Sequence, residues 1–188
     1  GSLTTSTVVQ EGGAVIDEDG DGTKANPFRI STAEQFLAIG SRVNNTSSAD
    51  KYFVLANDID LSGVTAKDVK NGSLVGIDKT LAAKSANVFI VLDGNGYSLK
   101  GLSLDITKGA EASVFGTLNE KSVISNLRID RPVIRSTSSE MTRLALVATE
   151  NKGTVSGITI TYPVITAERA DYAAFAVAVN YGAISDIS

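Results

Sequence analysis

The chain repeats itself, and no other property narrows its fold as far. Ile124-Ser125-Asn126-Leu127-Arg128-Ile129 and Val155-Ser156-Gly157-Ile158-Thr159-Ile160 carry apolar residues at the same first, fourth and sixth places, 31 residues apart. A second match starts within each copy, Ile129-Asp130-Arg131-Pro132-Val133-Ile134 against Ile160-Thr161-Tyr162-Pro163-Val164-Ile165, so two of the three prolines share one repeat position. Ile184-Ser185-Asp186-Ile187 begins a third copy after 29 residues, and its lead-in agrees, with Asn151 and Gly153 matching Asn180 and Gly182. Leu99-Lys100-Gly101-Leu102-Ser103-Leu104 reads as an earlier, degenerate copy offset by 25 from Ile124.

A period of 25–31 residues made of short strands and turns, with no helix inside the repeat, predicts an all-β right-handed parallel β-solenoid. Each coil of such a fold stacks its strands on the coil before, and like residues line up in columns. Apolar columns fill the inside, and the matched prolines belong at strand starts or corners, where no ladder N–H is needed. A β-sandwich would not require Pro and Gly in register at this period.

One helix is expected, near 32–43. Ser31-Thr32-Ala33-Glu34 reads as a capping box in which Glu34 reaches back to the cap. Phe36, Ile39, Gly40 and Val43 then follow at helical spacing, and Asn44–Ser48 ends the element. No second helix has comparable signals. Stacked strands expose apolar core and unpaired ladder groups at their end, so this helix is expected to cap the N-terminal end, with Phe36, Ile39 and Val43 packed on the first coil. The expected organisation is a tag scar (Gly1-Ser2) and linker over 1–13, then a single solenoid domain over 14–188. The third copy stops at Ile187-Ser188, before its Pro-Val-Ile segment, so the native chain is expected to continue past this point.

The entry segment resembles the GLUG-type repeat solenoids of bacterial surface proteins, found in adhesin-like chains and ahead of some immunoglobulin A peptidases. The resemblance rests on Asp21-Gly22-Thr23 with Asn26–Phe36, on Tyr52–Leu61, on Leu92–Leu99, on Val114-Phe115-Gly116 and on Ile124–Leu127. The repeat itself is matched over Leu146–Ser156 and Val177–Ser185, with Ala145, Ala148, Ala176 and Ala178 where the namesake motif has glycine. It implies a secreted or wall-attached bacterial scaffold, with a host or bacterial surface glycan or protein as partner, and it brings no catalytic residues.

Composition excludes several chemistries. The chain has no Cys and no His, which removes thiolate nucleophiles, disulfides, His-dependent triads and the usual zinc sites. Its net charge of −4 gives no electrostatic basis for general nucleic-acid binding. The longest apolar run, Tyr172–Val179, falls far short of the ~18 residues that a membrane span requires.

Four groups remain as candidate chemistry. Asp17, Asp19 and Asp21, followed by Gly22, match the first half of a calcium loop, but position 12 is Phe28, so any site is weak and metal is not expected to be needed for folding. The simpler reading is a solvated acidic turn, and no cofactor is expected. Asp58 and Asp60 alternate on one strand face and, with Asp93, could form the acid/base couple of a polysaccharide hydrolase or lyase. The alternative is that they satisfy turn N–H groups. Arg128, Arg131, Arg135 and Arg143 could bind an acidic glycan, or protect an exposed sheet face with charge. Tyr162, Tyr172 and Tyr181 could stack on sugars, although corner packing is the simpler expectation. The leading functional reading is a non-enzymatic surface module acting as adhesin, stalk or spacer. The alternatives are a carbohydrate-active solenoid and a substrate-recruiting module of a surface peptidase.

Overall fold

The structure, a computed structural model, describes residues 20–188. A leading strand, β1 (Phe28–Ile30), precedes two short helices, α1 (Ala33–Leu37) and α2 (Ile39–Val43). An irregular coil follows with β2 (Tyr52–Leu55), β3 (Ile59–Asp60) and α3 (Lys79–Lys84). The next coil contains β4 (Val91–Asp93), β5 (Ser98–Lys100), β6 (Ser103–Ile106), β7 (Glu111–Ala112) and β8 (Gly116–Leu118). Two regular coils come after it. They are β9 (Val123–Asp130), β10 (Val133–Ser136), β11 (Arg143–Ala145) and β12 (Ala148–Asn151), then β13 (Thr154–Thr161), β14 (Val164–Ala167), β15 (Tyr172–Ala174) and β16 (Val177–Asn180). The last strand is β17 (Ala183–Ile187).

Each regular coil gives one strand to each of four parallel sheets. Their orders are β1-β2-β4-β9-β13-β17 (with β3-β5 joining at β9), β6-β10-β14, β7-β11-β15 and β8-β12-β16. The fold is a β-solenoid. The repeat is also its register: Ile124 pairs Val155, which pairs Ile184, and Val133-Ile134 pairs Val164-Ile165. The matched columns Leu92/Ile124/Val155 and Leu104/Ile134 are at most 1% exposed and run through a single apolar core.

Pro132 and Pro163 stand at the corners between β9 and β10 and between β13 and β14. The residue before each, Arg131 (φ 51°) or Tyr162 (φ 45°), turns the corner in the left-handed region. The pairing shows that the first, degenerate copy is phased differently from the 25-residue expectation. Leu99 pairs Ile129, and the partner of Ile124 is Leu92. The cause is the turn at Asp93-Gly94-Asn95-Gly96, which splits into β4 and β5 what the next coil delivers as the continuous β9 and adds two residues between matched columns.

The expected helix is present as two five-residue segments meeting at Ala38. Thr32 is its N-cap, so the third helical position is Gln35, and Gln35 rather than Glu34 reaches back: its Oε1 accepts from Ser31 N (2.7 Å) and Thr32 N (3.1 Å). Phe36, Ile39 and Val43 are buried, and the Phe36 ring meets Phe115 edge-on at 6.0 Å. The helix occupies a stacking lane: Gly40 N donates to Val75 O (2.7 Å), Val75 N to Val114 O (3.1 Å) and Val114 N to Leu146 O (2.9 Å). Lys51 fixes its end. This lysine is fully buried, and its ammonium donates to Val43 O (2.8 Å) and Asn45 O (3.3 Å). Contrary to the expectation of a single helix, α3 forms behind Asp78, whose carboxylate accepts from Thr80 N (2.9 Å) and Leu81 N (3.1 Å).

Candidate functional site

The irregular coil opens a site on the flank. Corresponding strands of the later coils are 29 to 33 residues apart, but Tyr52 and Val91, also neighbours, are separated by 39. The added length leaves the stack. Leu61 N still donates to Lys100 O (2.7 Å), and the Asp60 carboxylate accepts from Ser62 N (2.9 Å). The chain then passes through a 3-10 turn at Ala66–Asp68 and a tight Lys70–Ser73 turn with Asn71 and Gly72 at positive φ. It re-enters where Leu74 N donates to Ser113 O (3.0 Å).

Between exit and return lies a groove of about 1020 Å³, with Thr65–Gly72 as one wall and Ser103–Glu111 as the other. Its charged lining is balanced, Lys67, Lys79 and Lys108 against Asp105, Glu111 and Glu140. Glu111 is the organised member. Its carboxylate takes Lys79 at 2.8 Å and lies 3.9 Å from Arg143, which also bonds Glu150 at 2.9 Å. Lys67, Val69 and Lys79 have no signal in the repeat pattern because the lengthened coil matches no repeat position. The long Tyr52-to-Val91 interval is the signal that locates the insertion.

The predicted site residues are used differently. Asp17 and Asp19 lie outside the described residues. Asp21 accepts from Thr23 Oγ1 (2.6 Å) and Thr23 N (3.0 Å), and these two bonds hold its carboxyl below the usual value. Among the described residues no cluster of three metal-ligating side chains occurs.

Asp58, Asp60 and Asp93 each serve neighbouring donors. Asp58 takes Lys100 Nζ (2.8 Å) and Ser98 N (2.9 Å), and the lysine first, then the N–H, lowers its pKa. Asp60 is lowered in the same direction by Ser62, through its hydroxyl and N–H. Asp93 accepts from Asn95 N (2.8 Å) and Asn126 Nδ2 (3.3 Å). A general acid needs a raised pKa, and Asp58 and Asp60 are shifted the other way.

The arginines are distributed rather than gathered. Arg128 lies in β9 beside Ser98 and Thr159, Arg135 in β10 beside Asp105, and Arg143 in β11 beside Glu111, so they belong to three different sheets. Arg131 stands over the Tyr162 ring at 5.7 Å. Tyr162 and Tyr181 stand at corners but are 80% and 71% exposed rather than packed there; Arg131, at the same corner one coil earlier, is exposed too. Tyr172 is exposed in β15 beside Arg143.

No family model matches the chain. Halomucin of Haloquadratum walsbyi is 28% identical over 167 residues, 82% of this chain and 2% of that protein. A protein of Evansella cellulosilytica carrying the name Gly-rich membrane protein is 30% identical over 111 residues, 58% of this chain and 12% of its own length. The chain thus spans a small fraction of the curated relatives it matches. Among solved structures, a Bacteroides ovatus protein named for immunoglobulin A1 protease superposes with a TM-score of 0.51 at 19% identity, covering 78% of this chain and 41% of that one. That likeness shows the fold: the chain shares a β-solenoid architecture with it.

Proposed function

We propose that this chain is a non-enzymatic repeat module of a secreted or cell-surface protein, serving as stalk, spacer or adhesin segment. The observation that carries this reading is the ladder itself. Three successive coils join through the same parallel register, with like residues in each column, so the unit lengthens by adding coils. The GLUG-type resemblance points the same way, as do relatives named halomucin and Gly-rich membrane protein, both far longer than the segments that match. The use of Asp58, Asp60 and Asp93 as caps and ion-pair partners supports a scaffold over a polysaccharide-cleaving site.

Two measurements test this reading together. Antibodies against the purified chain are expected to label intact cells of the source organism without permeabilisation. The chain is expected to release no reducing ends from a panel of acidic and neutral polysaccharides. Labelling only after permeabilisation, or release abolished by Asp58→Asn, Asp60→Asn or Asp93→Asn, overturns it.

A further inference from the structure

The flank groove is a stacking lane with one strand missing. Parallel pairing between β6 and β10 has Val133 N donating to Leu102 O (2.9 Å) and Thr137 N to Ile106 O (2.9 Å). This alternation directs the N–H and C=O of Leu104 and Ile106 toward β10 and those of Ser103 and Asp105 toward the opposite edge. Among the described residues nothing pairs with that edge. The lane is filled on either side of the gap, by Leu61 on Lys100 and by Leu74 on Ser113, and β6 lies inside that gap.

We propose that this lane binds an extended peptide segment of a partner protein by strand addition onto β6, the peptide alternating aliphatic and basic residues. Main-chain pairing needs an extended backbone, and the N–H and C=O of Ser103 and Asp105, without a partner among the described residues, provide four groups for it. Alternation follows from the walls. Ile106 and Val69 line the groove toward the core and take an aliphatic side chain. Asp105 points outward and already has Arg135 beside it in the β10 ladder, so a cation in the empty lane completes an opposite-charge pair on its other side. The β10 segment Pro132-Val133-Ile134-Arg135-Ser136-Thr137 supplies one such step, with Ile134 buried and Arg135 exposed. The inference goes beyond the scaffold reading, and holds whether the module is a stalk or an adhesin.

The test uses the whole chain and an acetylated, amidated hexapeptide of that β10 sequence. In the free protein the Ser103 and Asp105 amides are expected to exchange quickly with deuterium, while those of Leu104 and Ile106 are protected. Saturating peptide is expected to slow exchange at Ser103 and Asp105 by about tenfold or more. A peptide N-methylated at the residues matching Ile134 and Ser136, which lacks the donors facing β6, is expected to have no effect. On the protein side, Asp105→Pro removes an edge donor without touching a ladder bond and is expected to abolish protection. Asp105→Asn, which keeps the backbone, is expected to weaken it. Protection of Ser103 and Asp105 in the free protein means that the chain closes its own lane, and overturns the proposal. So does unchanged exchange at millimolar peptide, or equal protection by the N-methylated peptide.

Discussion

Asn151 Nδ2 donates to Asn180 Oδ1 across 2.9 Å, joining residues that occupy one repeat position in successive coils. The two are not equivalent. Asn151 is fully buried, accepts from Gly153 N (3.0 Å) and also reaches Ala183 O (3.3 Å), whereas Asn180 is exposed. Asn151→Ala strands buried backbone groups and is expected to cost about 1–3 kcal/mol. Asn180→Ala is expected to stay within about 0.5 kcal/mol, as surface substitutions do. Urea midpoints of the two variants check the asymmetry.

Gly153 and Gly182 stack on each other for lack of space rather than for unusual dihedrals. A Cβ on Gly153 would run into Ser122 O, and one on Gly182 into Gly153 O, while neither residue has positive φ. Gly153→Ala is therefore expected to cost about 1–3 kcal/mol as overpacking. Gly63 has open space around its would-be Cβ. Gly63→Ala is expected to be neutral or to stabilise by about 0.4–1 kcal/mol through the unfolded state. Equal midpoints for the two variants would contradict the close-approach argument.

Phe36 ties the N-terminal helix to the stack through Phe115. Phe36→Ala removes a fully buried ring and is expected to cost about 3–5 kcal/mol. The exchange protection of Gly40 N, which bonds Val75 O, is expected to fall with it if the helix is the cap of the core. A variant that loses stability while Gly40 stays protected to the global limit would place the cap elsewhere.

Among the described residues no carboxylate forms an ion pair with the buried Lys51 ammonium, and burial holds its pKa below the ordinary 10.5. The unfolded chain therefore binds this proton more tightly than the folded one. Its linkage contribution to stability rises as pH climbs from the lowered folded value through 10.5, and is flat at neutral pH. Lys51→Met is expected to remove that alkaline slope. At pH 7 it is expected to destabilise by about 1–3 kcal/mol, because Val43 O and Asn45 O lose their donor. Denaturation midpoints at neutral and alkaline pH separate the two effects.

Asp21, Asp58 and Asp60 bring the opposite limb. Their carboxyls lie below the ordinary 3.8 in the fold, so the stability they contribute is present above that value and is lost as pH falls through their folded values. Asp58→Asn keeps an acceptor for Ser98 N but not the charge facing Lys100, and is expected to flatten this acid limb. The Asp58–Lys100 pair is exposed, so added salt is expected to weaken its share. Acid titrations of stability at low and high salt measure both.

The sequence by itself determined the stack. Apolar spacing reports which side chains share a column, so Ile124, Val155 and Ile184 are legible as one column, Pro132 and Pro163 as one corner, and the helix start to within one residue of Thr32. These are local patterns, imposed by burial where coils stack, as at Ile124 and Val155. Tertiary structure decided the rest, because it depends on what lies beside a residue rather than near it in the chain. Asp58 became the partner of Lys100 and Ser98 only because β3 was laid against β5, not joined to Asp93 in a catalytic couple. The shift of Leu99 to Ile129 follows from the two residues added at the Asp93–Gly96 turn, which the spacing of apolar positions does not record. The flank groove arose from an excursion that breaks the repeat, and a repeat search registers such a segment only as silence. Among the described residues β6 is paired along one edge and open along the other.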